Sequence, residues 1–387
     1  MFRSSAHSVY RICADLGHLE MLTVRFQTLK CQEYFAMKSC TEDSIAMPSS
    51  NIKTFNQSVT AREVAERAGV SISAVSRAFT NGASVAPATR SRILKAAQAL
   101  GYQPNVMARS LMTGRTELIG LVSNNFDNPA FMEIFDLFTR GLQDHGLRPL
   151  LANLSGNSDP QKAIAMLRQY NVDGVIVASS TVSPQFIEGC NAAHIPLVHA
   201  FGKANSQVPT HIVSADNEQG GKLAAQIMLD HGYRHLAFLG GPRAASSTAD
   251  RLRGLRSGLK GTGLAPVIEV FAPRYSHEDG RVLMRQLLAD NNIDAVFCGD
   301  DILAIGALDA CKEACRSVPH DIGILGFNDI AMASWAAYDL STIRQPIAEI
   351  IVAAVELSIK LVVDQHIPTE VNLFACSPVL RHTLRRL

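Results

Sequence analysis

Between residues 60 and 101 apolar side chains recur every three or four positions in three short runs, which predicts three helices. TARE at 60–63 has the spacing of a capping box, in which the Thr60 hydroxyl and the Glu63 carboxylate each satisfy an amide at a helix start. Val64, Ala65 and Ala68 follow as an apolar face, and Gly69 stands where a left-handed residue ends a helix. Ser71 is placed to cap a second helix over 72–79, whose Val75, Ala78 and Phe79 face the first, and Asn81-Gly82 breaks it. Pro87 suits the first position of a third helix with Ile93, Ala96, Ala97 and Leu100 as its stripe and Gly101 as its stop. A turn of about four residues between the first two makes this a helix-turn-helix unit.

From residue 117 the pattern changes. Short apolar runs at 118–122, 174–178, 197–200, 236–240, 295–298 and 323–327 alternate with helical segments of roughly a dozen residues. This is the pattern of βαβ units with buried parallel strands, and the spacing alone fits one doubly wound sheet or two. Residues 1–58 show no sustained period and carry no motif. They read as a disordered leader or a mis-assigned start, with Met37 and Met47 as alternative initiators.

Composition narrows the class. Of 387 residues 47% are hydrophobic and 18% charged, with 26 Gly and 16 Pro, which excludes disordered, collagen-like and coiled-coil chains. The longest apolar stretch, 343–363, is interrupted by Arg344, Gln345, Glu349, Glu356 and Lys360 and falls short of a membrane span. The first sixty residues lack the apolar block of a signal peptide, so a cytoplasmic protein is expected. Eight scattered cysteines read as free thiols. Cys311 and Cys315 have a spacing that could ligate a metal, but no CxxC or HxxxH partner lies nearby, and neither metal nor cofactor is expected.

Charge is distributed unevenly. Residues 59–116 carry eight basic side chains against two acidic ones, a net +6, while the chain from 117 onward carries −6. A small cationic module joined to an acidic body is the footprint of a protein whose small part touches a polyanion.

The string TAREVAERAGVSISAVSRAFTNGASVAPATRSRILKAAQALGYQPNVMARSL at 60–111 carries AGVS, VSR, TR, LGYxPN and ARSL in order. It resembles the DNA-binding head and hinge of the lactose and galactose repressor family. The likeness continues to about residue 386 through IGLVSNNFDNPAF, DGVIVASS, HIPLVHAF, DHGYRHLAFLGGP, AVFCGDDILAIGAL and DIGILGFNDI. The resemblance implies a small all-α helix-turn-helix head (59–103) and a hinge helix with linker (104–116). An α/β, two-lobed, periplasmic-binding-protein-like body of parallel sheets flanked by helices follows. Its chain is implied to cross between lobes near 214, 326 and 344, with 117–214 and 326–343 in the first lobe and 215–325 and 344–387 in the second. The implied function is ligand-responsive, sequence-specific transcriptional regulation. A homodimer would hold a near-palindromic operator in double-stranded DNA, most relatives being repressors induced by sugars or related metabolites. No heptad run follows Arg381, which favours a dimer over a tetramer.

By the family pattern Ile72, Ser73 and Arg77 read bases, while Ser71, Ser76 and Asn81 hold the phosphate backbone. Ile72 and Ala74 are poor hydrogen-bonders, so apolar contact with a thymine methyl is their direct role. The hinge helix is implied at 105–113, with Asn105 and Arg109 on DNA and Leu111 wedged into the minor groove; a leucine packed on the body is the alternative. The effector is assigned to Arg251, Asp301, Phe131 and Tyr275: a guanidinium fork, a carboxylate acceptor and two flat walls for a small polar ligand. Interlobe ion pairing or core packing is the plain alternative for each. Asp300 stands where the family has Asn, and Ala86 where it has a capping Ser or Thr.

Two other classes compete. Asp300-Asp301 could form an acid/base pair and Gly240-Gly241-Pro242 could open a phosphate loop, but GxGxxG, GxxxxGKS/T and GxSxG are all absent. A transport-type solute-binding protein would need export, and its signal peptide is replaced here by the basic head.

Overall fold

The computed structural model describes residues 59–387 apart from Asn81, 105–109, 111–113, Asp127, Asn157, 205–207, Asn291 and Leu387. The expected leader, the expected DNA contacts Asn81, Asn105, Arg109 and Leu111, and all of the expected hinge helix except Ser110 lie outside the described residues. The chain divides into two units, one ending at Gln103 and one beginning at Pro104.

The first unit holds α1 (Ala61–Ala68), α2 (Ile72–Ala78) and α3 (Pro87–Leu100). Both halves of the capping box are made: Thr60 N donates to Glu63 Oε2 at 2.7 Å and Glu63 N to Thr60 Oγ1 at 3.4 Å. Gly69 closes α1 at a φ of 62°, which a side chain would strain. Ser71 Oγ accepts from Ala74 N at 3.3 Å and starts α2. That helix stops one residue before Phe79, whose ring instead meets Tyr102 edge to face at 5.6 Å. Ala86 supplies no side-chain cap to α3, and Pro87 starts the helix alone. The core is small and alanine-rich: Val64, Ala65, Ala68, Val75, Ala78, Ile93, Ala96 and Ala97.

The second unit contains two six-stranded sheets. The first is laid down by β1 (Leu118–Ser123), α4 (Ala130–Asp144), β2 (Arg148–Asn153), α5 (Pro160–Gln169), β3 (Gly174–Ala178), α6 (Pro184–Ala192), β4 (Leu197–Ala200) and β5 (His211–Ala215). The second follows from α7 (Asn217–Asp230), β6 (Leu236–Gly240), α8 (Ser246–Gly258), β7 (Ile268–Phe271), α9 (His277–Asp290), β8 (Ala295–Cys298), α10 (Asp301–Glu313), β9 (Gly323–Asn328) and β10 (Thr342–Arg344). The chain then returns to the first sheet as α11 (Ile347–Val363) and β11 (Val371–Phe374), and ends on the second as β12 (Ser377–Val379). All ladders are parallel except β10 with β12. No helix among the described residues is long and apolar enough to cross a membrane.

Three crossings therefore join the lobes, between β5 and α7, between β10 and α11, and between β11 and β12. This corrects the expected division: residues 326–343 belong to the second lobe, and 347–374 to the first. β9 is buried along its whole length between β8 and β10, so the chain has no exit at 326. The apolar face of α11, with Ile350, Ile351, Ala354, Val355 and Leu357 buried, is accommodated on β3, β4, β5 and α4 of the first lobe.

Cys190, Cys298, Cys311 and Cys376 are buried free thiols, and Cys315 is an exposed one.

Candidate functional site

In the head, α2 turns Ser71, Ile72, Ser73 and Arg77 outward, while Ala74 and Ser76 are half-buried. Ile72 is 47% exposed and is covered by nothing within its unit. The Ser71 and Ser73 hydroxyls lie 2.9 Å apart, and Arg77 Nε donates to Ser73 O at 3.3 Å. Arg90, which the sequence showed only as one more positive charge, has a different task. Its Nη1 donates to Ala78 O at 2.7 Å and its Nη2 to Ala83 O at 2.9 Å, so it ties α3 to the last residue of α2 and to the loop that follows.

In the body, the carboxyl ends of the parallel strands of both sheets face one cleft, where such folds place ligands. A cavity of about 50 Å³ there is bordered by Asn125, Asn128 and Phe131 from the first lobe and by Arg251, Tyr275, Asp300 and Asn328 from the second. Gln345 and Ile347, at the second crossing, complete one side.

Arg251 is held by backbone proximity. A Cβ on Gly221 of α7 would lie 2.1 Å from the Arg251 carbonyl, so only glycine lets α7 and α8 approach this closely. Arg251 Nε donates to Asn217 Oδ1 at 2.8 Å, and Nη1 donates to the Gly299 carbonyl. The guanidinium carbon rests 3.6 Å from the centroid of the Phe327 ring. Burial lowers its pKa, opposed by Tyr275 and Asp300, and arginine stays charged throughout. The Tyr275 hydroxyl lies 3.1 Å from Thr248 Oγ1 and 3.3 Å from Ser247 Oγ, while Phe131 packs against Phe135 with centroids 6.0 Å apart.

The carboxylate of the cavity is Asp300, and this corrects the expectation for Asp301. Successive residues at a helix start point about 100° apart. Asp300, as the cap of α10, faces the cleft, accepting from Ile302 N at 2.9 Å on Oδ1 and from Asn328 Nδ2 at 2.9 Å and Asn128 Nδ2 at 3.0 Å on Oδ2. Asp301 points the other way and is fully buried, accepting from Thr342 Oγ1 at 2.6 Å and Ile330 N at 2.9 Å. Burial pushes the Asp301 carboxyl up to about 7 and raises that of Asp300 as well. The sequence reading missed Asp300 as the cavity carboxylate although it singled the residue out. It also missed Asn128, Asn217, Asn328 and Gln345, amides whose only signal is a place at a strand end or crossing.

Both lobes meet at the cleft through further polar contacts. Ser246 N donates to Ser180 O at 3.2 Å, and Lys203 Nζ lies 2.6 Å from Asp250 Oδ1. The lining carries one positive and one negative charge among the described residues, with amides, hydroxyls and rings around them. That combination suits a small polar ligand without net charge.

Residues 60–105 match the family model for bacterial regulatory proteins of the lacI family, and residues 225–384 match that of the periplasmic binding protein-like domain. The chain is 34% identical over 294 residues to the HTH-type transcriptional repressor PurR of Photorhabdus laumondii, a match covering 74% of this chain and 85% of the relative. It is 31% identical over 295 residues to the HTH-type transcriptional regulator DegA of Bacillus subtilis, covering 74% and 86%. The solved lac repressor dimer bound to operator and the anti-inducer ONPF superposes with a TM-score of 0.76 at 25% identity, covering 84% of this chain and 99% of that one.

Proposed function

The chain belongs to the lacI family of bacterial regulatory proteins, and on that premise we propose that it is a ligand-responsive transcriptional repressor. It binds a near-palindromic operator as a homodimer, in keeping with the solved lac repressor dimer bound to operator, and a small sugar-like metabolite in the cleft releases it. It works in the cytoplasm and by binding rather than catalysis.

The observation that carries this reading is the cavity between the lobes, where Asn128 of one lobe reaches Asp300 of the other beside Arg251. A molecule entering there touches both lobes at once and stabilises one lobe angle over another by the difference in its affinity for the two. Operator affinity follows through linkage, and operator must change effector affinity by the same factor. Phe131 and Tyr275 supply flat walls to that ligand, Arg251 a fork of donors and Asp300 an acceptor.

In the head, Ile72 and Ala74 meet a thymine methyl, Ser73 and Arg77 reach base edges, and Ser71, Ser76 and Asn81 hold phosphates. From the family resemblance, Asn105 and Arg109 contact DNA and Leu111 enters the minor groove, its unstacking cost offset by the contacts a bent operator allows. Leu111→Ala then weakens specific binding more than non-specific binding.

Selection of genomic fragments by the purified protein, at a stated salt concentration, tests the whole reading. The expected result is a near-palindromic site upstream of a metabolic operon. Recovery of no preferred site, with and without added cell metabolites, overturns it.

A further inference from the structure

The Asn328-Asp329 pair has an unusual backbone. Asn328 has a φ of 122° and Asp329 a φ of 60°, adjacent residues in a region that side chains disfavour, at the buried end of β9. Such a conformation persists where the surroundings fix it, and here both side chains are fixed. Asn328 Nδ2 donates to the cavity carboxylate Asp300 at 2.9 Å, and Asn328 Oδ1 accepts from Gln345 Nε2 at the second crossing. Asp329 accepts from Arg344 Nε at 2.7 Å, one residue before that crossing, and from Arg381 Nη2 at 2.7 Å, beyond the third. One dipeptide thus joins the cavity to segments beside two of the three crossings.

We infer that Asn328 is the positioning residue that transmits the state of the cavity to the second crossing, through the path Asp300, Asn328, Gln345. Oδ2 of Asp300 already accepts from Asn128 and Asn328, and one carboxylate oxygen has room for about two such donors. A ligand hydroxyl that bonds to it displaces one of these amides. Displacing Asn128 removes a contact between the lobes, and displacing Asn328 frees the amide that orients Gln345. The inference rests on the reading of the cavity as the effector site.

The test is hydrogen exchange on the full chain, with neither effector nor operator present. Asp300→Asn serves as the perturbation of the cavity, since it keeps the side-chain shape but turns an amide toward the Asn328 and Asn128 donors. Exchange over residues 343–350, where Ile347 N bonds to Gln345 O and Ile350 N to Pro346 O, is expected to quicken about tenfold. In an Asn328→Gly background, chosen because glycine tolerates the backbone, Asp300→Asn is expected to add nothing further at those residues. Gln345→Leu approaches the link from its other end and is expected to quicken exchange over 299–303 only while Asn328 is present. Equal effects with and without Asn328, or no effect of Asp300→Asn at the crossing in the parent chain, overturn the inference. Such a failure leaves the regulator reading standing, because that reading is tested by operator recovery, and absence of an operator leaves the exchange result intact.

Discussion

The side-chain amide of Asn128, in the loop after β1, donates across the cleft to Oδ2 of Asp300 at 3.0 Å, and both residues are buried. The bond links an amide of one lobe to a carboxylate of the other that is already short of solvent. Asn128→Ala leaves one acceptor position of that carboxylate empty, which costs about 1–3 kcal/mol for a buried polar group. The expected outcome is a lower urea midpoint together with a larger radius of gyration in solution scattering. An unchanged radius would mean that Ser180 with Ser246 and Lys203 with Asp250 hold the lobes together without it.

Asp301 gives stability a distinctive pH dependence. Its carboxyl is pushed up to about 7 by burial, so the folded chain binds a proton there more tightly than the unfolded chain does. This contribution is complete below the unfolded value, near pH 4, and is lost as pH rises through about 7, at up to about 1.4 kcal/mol per pH unit. The stability of the parent chain relative to Asp301→Asn is expected to fall between pH 4 and 7. Urea unfolding at half-unit steps measures the difference, and a flat difference curve would show that Asp301 ionises as an ordinary carboxyl.

Arg251→Lys separates charge from shape. Lysine keeps the cation but loses the paired contacts to Asn217 and Gly299 and the flat face on Phe327. Effector affinity is expected to fall about tenfold to a hundredfold, the range for hydrogen bonds to a charged group, while operator affinity without effector stays unchanged. Arg251→Ala is expected to abolish the response. A full response from either variant at the parent's effector concentration would move the binding site elsewhere.

Arg90 and Arg77 are expected to behave differently although both are basic residues of the head. Arg90→Ala removes the bonds to Ala78 and Ala83, and exchange over 72–83 is expected to quicken even without DNA. Arg77 is exposed on α2, and with that helix proposed to read the operator, Arg77→Ala is expected to lower operator affinity by about 1–3 kcal/mol with exchange in the free protein little changed. The comparison fails if both variants lose DNA binding and both loosen the head.

The head was almost entirely legible in the sequence because its signals are local. A capping box at Thr60 and Glu63, a left-handed stop at Gly69, a cap at Ser71 and a proline at Pro87 act within one helical turn, and each appears where its spacing placed it. Six of the interior strands were legible for a related reason, since buried parallel strands are continuous apolar runs, whereas the interior strands β5, which carries His211 and Ser214, and β10, three residues long, were not among those runs. The strands at 148–153, 268–271 and 371–374 gave no such run because they sit at sheet edges with mixed burial, and β2 contains Pro149.

What the sequence determined by itself was the class of the head helices and of six interior strands, the charged character of the head, and the placing of Phe131, Arg251 and Tyr275 at the cleft through family resemblance. Tertiary structure decided which lobe each late segment joins, because α11 and β11 are accommodated by a sheet built from residues more than a hundred positions earlier. It also decided which of two adjacent carboxylates faces the cavity. Asp300 and Asp301 are chemically identical in the chain and differ only in the direction a helix start gives them, and that direction has meaning once α10 is packed against β9 and the opposite lobe.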